Sequence, residues 1–178
     1  MDRYACGDDT AFAELYDLLS DRLFAFLVRR SGDASKAEDL LQQTFLQMHC
    51  AREGYVQGAD VLPWAFCIAR RLLIDGYRKG SREILPGDDL DERVADELGP
   101  DDMLRSKQAA QLVAETLAAL PEAQRVAFEL IKYDGLSLVE TAEVLGTTVT
   151  AVKLRAHRTY EALRAALRTD DMLERQKS

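Results

Sequence analysis

Hydroxyl and basic side chains are concentrated between residues 148 and 158. Two threonines come first, and four side chains able to carry positive charge follow them. At the start of a helix, such hydroxyls and cations can meet base edges and phosphates, which suits nucleic-acid recognition. The spacing alone also fits an ordinary solvated basic helix. The residues concerned are Thr148, Thr150, Lys153, Arg155, His157 and Arg158.

A second basic stretch lies between Arg70 and Arg82, where five Arg or Lys residues accompany a single acid, Asp75. Cations here can attract phosphate, and an aromatic side chain such as Tyr77 can stack on an unpaired base. The two stretches therefore indicate two separate places at which the chain could touch nucleic acid.

Catalytic and metal chemistry have little support in the sequence. Cys6, Cys50 and Cys67 lack CxxC spacing, and His49 beside Cys50 has no partner pair, so reduced thiols are expected. The sequence contains no Gly-rich phosphate loop and no plausible Ser-His-Asp or Cys-His arrangement. We therefore expect no enzyme activity, no metal and no cofactor.

The net charge of −8 argues against tight DNA binding by the free chain, because phosphate neutralisation supplies much of that affinity. More than half of the excess negative charge lies in residues 85–108, which carry 3 basic and 8 acidic groups. No apolar run approaches the roughly 20 residues needed to span a bilayer, and the acidic N-terminus is unlike a signal peptide. We expect a cytoplasmic protein with no membrane insertion of its own.

The composition predicts an all-α protein, because Gly and Pro are scarce and no period-2 strand pattern is present. A helix after Asp9 or Thr10, one over residues 34–52 and one over residues 63–79 predict a helical bundle in residues 1–82. Side chains expected in its core include Tyr16, Leu41, Thr44, Phe45, Met48, Trp64, Ile68 and Leu72.

Residues 83–100 are acidic and rich in turn-forming residues, which predicts a flexible linker. The C-terminal domain, residues 101–178, should begin with helices over residues 101–120 and 121–133. The chain is therefore expected to form two small helical domains joined by an acidic linker.

The C-terminal domain is predicted to contain a helix-turn-helix. Ser137 and Glu140 have the spacing of a capping box, and Gly146 can end the short helix that they open. A longer basic helix follows from Val149, and this order of elements is typical of the motif. Its inner side is expected to carry Val152, Ala156, Tyr160 and Leu163.

The C-terminal domain resembles the promoter-reading domain of extracytoplasmic-function (ECF) sigma factors. The family pattern is Leu-Pro, an Arg a few residues on, Gly-Leu-Ser, Ala-Glu-x-Leu-Gly, Val-Lys-x-Arg and His-Arg. Here these are Leu120-Pro121, Arg125, Gly135-Leu136-Ser137, Ala142-Glu143-Val144-Leu145-Gly146, Val152-Lys153-Leu154-Arg155 and His157-Arg158.

The N-terminal half is similar to the same family. AEDLLQQTFLQM, from Ala37, resembles the family's polymerase-binding helix, and LPWAFCIARRLLIDGYRK, from Leu62 to Lys79, resembles its helix for the promoter element near −10. The loop from Gly54 to Val61 corresponds to the segment that captures a flipped-out base. The resemblance implies a sigma factor that binds core RNA polymerase and promoter DNA, with an anti-sigma factor as a further partner.

The resemblance also implies three sets of binding residues. Those for the clamp helices of the largest polymerase subunit are Glu38, Asp39, Leu40, Gln42, Gln43 and Phe45. Those for the −10 element are Arg70, Arg71, Asp75, Tyr77, Arg78 and Lys79. Those for the −35 element are Thr148, Thr150, Ala151, Lys153, Arg155, His157 and Arg158. The polymerase flap is a further expected contact.

Some of these assignments have alternatives. Core packing explains Phe45 equally well, and Glu38 and Asp39 could simply complement the helix dipole. Trp64 is expected in the core rather than as a wedge between bases.

Three residues depart from the family pattern. Arg71 stands where Asn is usual, Gln43 where an acid is usual, and Ala151 where Thr is common. These changes are expected to affect which promoter is read and how the polymerase is contacted, but not the role as a sigma factor.

Two other functions fit parts of the sequence. A sigma-like decoy that sequesters an anti-sigma factor would not need the basic sets at residues 70–79 and 153–158. A stand-alone helix-turn-helix regulator would not need AEDLLQQTF.

Overall fold

A computed structural model describes the backbone of residues 1–79 and 100–177 and the side chains of residues 1–77 and 107–169. Within these ranges the chain forms α-helices and one short 3-10 turn, with no strand, so the all-α prediction is confirmed. The predicted linker lies outside the described residues, except for Pro100, which begins a helix. The helices are α1 (Asp2–Ala5), α2 (Ala11–Ser31), α3 (Ala34–Cys50), α4 (Val61–Lys79), α5 (Pro100–Ala119), α6 (Glu122–Lys132), α7 (Leu138–Leu145) and α8 (Val149–Lys177).

The helices belong to two compact units: α1 to α4 lie in the first, and α5, α6, α8 and residues 138–142 of α7 lie in the second. In the first unit, α2, α3 and α4 pack against one another in all three pairs. The reversal between α2 and α3 depends on two residues. Gly32 ends α2 in the left-handed conformation, at φ 67°. The Asp33 carboxylate then caps α3 by accepting from the backbone N–H groups of Ser35 and Lys36.

The core of the first unit is formed by apolar stripes on three helices. Leu19, Leu23 and Leu27 of α2 are fully buried. The rings of Phe26 on α2 and Phe66 on α4 meet edge to face, with centroids 5.1 Å apart. Aromatic pairs in this geometry add to the stabilisation from buried area.

The sequence predicted the wrong core face for α4. Trp64, Ile68 and Leu72 are only half-buried. The buried positions are instead Ala65, Phe66, Ala69 and Leu73. Almost every residue from 61 to 69 is apolar, so helical spacing fits several faces equally well. Contact with both α2 and α3 selects the face that carries Phe66.

In the second unit, α5 and α6 both pack against α8. Leu117, Phe128 and Leu163 form a buried cluster, one from each helix. The buried stripe of α8 continues toward its N-terminus and consists of Val152, Ala156, Thr159 and Leu163.

Two tyrosines predicted on inner faces lie at the margins of the two cores. Tyr160 is 38% exposed and Tyr16 is 44% exposed. Each ring packs on a neighbouring phenylalanine, Tyr160 on Phe128 and Tyr16 on Phe45. A tyrosine at a core margin buries its ring and leaves its hydroxyl in water, which apolar spacing alone does not reveal.

Replacing Phe66 with Ala should lower the free energy of unfolding of the first unit by about 3–5 kcal/mol, because it leaves a cavity between α2 and α4. The control is Ile74→Ala on the same helix, which is 37% exposed and should cost about 1 kcal/mol or less. Urea unfolding followed by the fluorescence of Trp64, the chain's one tryptophan, measures both. Equal losses in the two variants would contradict this core face.

Candidate functional site

The turn between α7 and α8 is built by local hydrogen bonds. The Ser137 N–H donates to the Glu140 carboxylate at 2.6 Å, and the Glu140 N–H donates to Ser137 Oγ at 3.2 Å. This pair forms the predicted capping box at the start of α7. Gly146 follows the helix at φ 61°, and the Thr147 N–H donates to the Ala142 carbonyl at 2.9 Å. The predicted helix-turn-helix geometry is therefore confirmed.

Thr148 begins the second helix of the motif. Its Oγ1 accepts from the Ala151 N–H at 3.2 Å, which is the hydrogen bond of an N-cap. The sequence suggested Thr148 only as a group for base edges, so its capping role was missed. Its side chain is exposed and can still present the hydroxyl group to a ligand.

The buried stripe of α8 determines which of its side chains face outward. Within α8, four of the predicted DNA-binding side chains are exposed, as is Thr148 just before the helix, whereas Arg155 and Ala151 are half-buried. No acid occurs from residue 149 to 160. The first one, Glu161, is paired with Arg164 at 2.8 Å. The helix N-terminus adds partial positive charge, so this face favours an anionic partner. The exposed four are Thr150, Lys153, His157 and Arg158.

Two side chains, Arg125 and Thr159, make polar contacts between the helices of the second unit. Arg125, known from sequence only as part of a motif, donates from Nη1 to the Ala118 carbonyl at the end of α5, at 3.3 Å. Its Nε lies 3.9 Å from the buried Glu129 carboxylate. Thr159 Oγ1 lies 3.1 Å from the Arg155 carbonyl of α8 and 3.4 Å from the Gln124 carbonyl of α6, so its one hydroxyl proton is shared between the two acceptors. These contacts connect α5, α6 and α8 to one another.

The C-terminal half of α4 carries the second predicted DNA surface. Arg71 is exposed and lies 3.9 Å from the Asp75 carboxylate, a pair too exposed to contribute much stability. Arg70 is half-buried. Tyr77 donates its hydroxyl to the Arg30 carbonyl, which ties α4 to the end of α2. Its ring stays half exposed. The side chains of Arg78 and Lys79 lie outside the described ones.

The loop between α3 and α4 has an anchored base and an exposed tip. Tyr55 is buried, packs its ring edge to face on Trp64 at 5.2 Å, and donates its hydroxyl to the Ala59 carbonyl. Burial, with smaller contributions from the charges of Asp2 and Asp60, raises the pKa of the Tyr55 hydroxyl above its ordinary value. Val56, at the tip, is 72% exposed.

The α3 helix separates a core face from an exposed polar face. Phe45 is only 5% exposed, and its ring lies 5.9 Å from that of Phe12 and 4.8 Å from that of Tyr16. Phe45 therefore belongs to the core and is not available to a partner. Leu40 is half-buried, and the exposed members of the predicted polymerase set are Glu38, Asp39, Gln42 and Gln43.

Leu46 is a surface residue that the sequence analysis missed. It is 61% exposed and follows Gln42 and Gln43 by one helical turn, so the polar face has an apolar centre. The inward stripe of Leu41, Thr44, Phe45 and Met48 leaves Leu46 outside the core, and that placement was the signal that could have found it.

In the described parts of the chain, no group of three or more His, Cys, Asp or Glu residues could hold a metal ion. None of the helices there is long and apolar enough to cross a bilayer.

Comparison with known proteins assigns both units to one class. The family model for Sigma-70 region 2 matches residues 15–83, and the model for Sigma-70, region 4 matches residues 110–163. These matches cover the loop, the polar face of α3 and the helix-turn-helix. Both are modules of RNA polymerase sigma factors, which defines the class.

Individual relatives define the family. The ECF RNA polymerase sigma factor SigW of Bacillus subtilis is 31% identical over 171 residues, which cover 91% of this chain and 91% of SigW. SigF of Caulobacter vibrioides is 35% identical over 167 residues, covering 93% and 90%. The sigma factor RpoE of Bartonella quintana, solved with the anti-sigma factor NepR, has a TM-score of 0.65 at 28% identity and covers 89% of this chain and 98% of its own. The chain belongs to the ECF RNA polymerase sigma factor family. It directs promoter-specific transcription initiation by RNA polymerase.

Replacing Thr148 with Val should lower the stability of the first turn of α8 by about 1 kcal/mol, because the N-cap acceptor is lost. Thr148→Ser keeps the acceptor and should restore most of that stability. Thr150→Val is the matched control, since Thr150 is exposed within the helix. Amide hydrogen exchange in α8 measures the difference, and equal effects at positions 148 and 150 would exclude a capping role.

Proposed function

We propose that this sigma factor binds its partners through three separate surfaces. The outward face of α8 reads the −35 element, the end of α4 with the preceding loop binds the −10 element, and the polar face of α3 docks on core polymerase. The protein brings the two DNA readers to the polymerase and performs no chemistry of its own. It acts in the cytoplasm, where the polymerase meets chromosomal DNA.

The outward face of α8 is the observation that best supports the proposal. Cations and hydroxyls lie on the side opposite the buried stripe, and no acid interrupts them before Glu161. A helix of this kind fits the major groove, where hydroxyls and Arg can reach base edges and other cations hold phosphate. A decoy that only captured another protein would not need this face.

The boundaries of the two domains are part of the proposal. Residues 1–82 would form the polymerase and −10 domain, residues 83–100 an acidic connector, and residues 101–178 the −35 domain. The concentration of acids in residues 85–108 supports a connector that lies along positively charged surfaces of the polymerase.

Two partners follow from this proposal. The first is core polymerase, through the clamp helices of its largest subunit and through the flap. The second is an anti-sigma factor, since the Bartonella quintana relative was solved with one.

The assignment of α8 is tested by promoter activity. Run-off transcription with purified core polymerase on genomic fragments first identifies a promoter. Lys153→Ala, Arg155→Ala and Arg158→Ala are then measured on all single-base variants of its −35 element. Loss of a phosphate contact should weaken every variant about equally, whereas loss of a base contact should relax preference at one position by roughly 1–3 kcal/mol.

Arg164→Ala is the control, because Arg164 is exposed, paired with Glu161, and lies beyond the acid-free face. It should leave both activity and preference unchanged. The assignment fails if none of the three test variants differs from this control.

The α3 surface is tested by polymerase binding. The double change Asp39→Lys and Gln42→Lys should weaken binding to core polymerase without loss of helicity. Leu46→Ala should weaken it by roughly tenfold, the scale of a central apolar contact. Leu18→Ala on α2 is the control, because Leu18 is 60% exposed and Leu46 is 61% exposed. Co-purification that survives the double change would show that the polymerase docks elsewhere.

A further inference from the structure

The first seven residues lie against the tip of the loop between α3 and α4. Both carboxylate oxygens of Asp2 accept from the Gly58 N–H, at 3.1 and 3.2 Å. The amide of Gln57 donates to Cys6 Sγ at 3.3 Å. Two consecutive tip residues are therefore held by residues 1–7, here named the N-terminal strap.

The strap is anchored independently of the loop. Tyr4 is 4% exposed, its ring lies 5.5 Å from that of Phe12, and its hydroxyl shares a hydrogen bond with His49 Nδ1. Arg3 pairs with Asp8 at 2.8 Å and with Glu14 at 2.9 Å. These contacts join the strap to α2 and to the end of α3, so it can act as a fixed support.

The loop itself leaves its tip incompletely constrained. The Tyr55 hydroxyl and the Ala59 N–H close the loop at Ala59, the latter by donating to the Val56 carbonyl at 3.1 Å. Between these points Gly58 has φ 77°, and glycine has access to many other backbone conformations. The carboxylate of Asp2 stabilises one of them by accepting from Gly58, and a charged acceptor makes that hydrogen bond stronger than a neutral one would.

We propose that the N-terminal strap is a positioning element for the loop, and that Asp2, acting through Gly58, determines how strictly the loop selects an unpaired base of the −10 element. This inference rests on the proposed function of the loop. Asp2 does not itself contact DNA, since its carboxylate would repel phosphate. It holds the backbone close to Val56, an apolar side chain at the tip that is 72% exposed.

The test compares variants of the full-length protein in holoenzyme with core polymerase. Asp2→Leu removes the acceptor at similar size and, unlike Ala at position 2, does not promote removal of Met1. Asp2→Asn keeps an acceptor oxygen but loses the charge. Asp17→Leu is the matched control, because Asp17 is an exposed acid on α2.

Promoter opening is measured by permanganate footprinting on templates that carry each of the four bases at each non-template −10 position. Asp2→Leu should reduce the preference at one position by roughly 3- to 10-fold, the scale of one lost hydrogen bond. Asp2→Asn should retain most of the preference, and Asp17→Leu should retain all of it. Circular dichroism tests whether each variant is folded. If Asp2→Leu is not folded, Asp2→Glu, which keeps the charged acceptor, is compared with Asp2→Asn instead.

Three outcomes would overturn the proposal. The first is an Asp2→Leu holoenzyme with wild-type base preference, while a Val56→Ala change in the tip alters it; the loop's function then stands and the strap's role fails. The second is an equal loss of opening on all templates, which indicates a purely structural role. The third is a wild-type holoenzyme without base preference at any −10 position, which removes the proposed function of the loop as well.

Discussion

The burial of one stripe of α8 against α5 and α6 is the constraint on which the C-terminal unit depends. Val152, Ala156, Thr159 and Leu163 can leave water only in one rotation of the helix. In that rotation Lys153, His157 and Arg158 must face outward. The hydrophobic effect therefore orients the polar face of α8, although none of the buried residues can contact DNA. The hydrogen bond from Arg125 to the Ala118 carbonyl joins α6 to the end of α5.

In the N-terminal unit, too, the burial of apolar side chains determines which polar residues are exposed. Packing of α4 on both α2 and α3 buries Phe66 and leaves Arg71 exposed at the far end of the same helix. Tyr77 then ties that end to α2. The α4 residues proposed to bind the −10 element thus lie on a helix, whereas base capture is proposed for a loop. A rigid cationic surface suits a regular phosphate backbone, and a shaped loop suits a single unpaired base.

The sequence predicts the fold best where local chemistry alone determines it. The capping box of Ser137 and Glu140, the positive φ of Gly146 and the end of α2 at Gly32 follow from residue type, and the structure has each of them. The sequence fails where tertiary packing decides between equal alternatives. The inward face of α4 is not encoded in apolar spacing, because apolar residues adjoin on the same helix. On α3, where polar residues separate the apolar ones, the spacing places Phe45 in the core, and the structure has it there. The strap was not predicted, since Asp2 and Gly58 meet only in the folded chain.

The buried and exposed faces of α3 are subject to different selection pressures. Substitutions at Leu41, Phe45 or Met48 change the stability of the unit, because these side chains are buried. Substitutions at Asp39, Gln43 or Leu46 change only what the surface offers to a partner. If this face docks on core polymerase as proposed, relatives can diverge in their affinity for the polymerase, and so in how well they compete with one another for it, without a change in the buried face. Gln43, where the family usually has an acid, is a change of this tolerated kind.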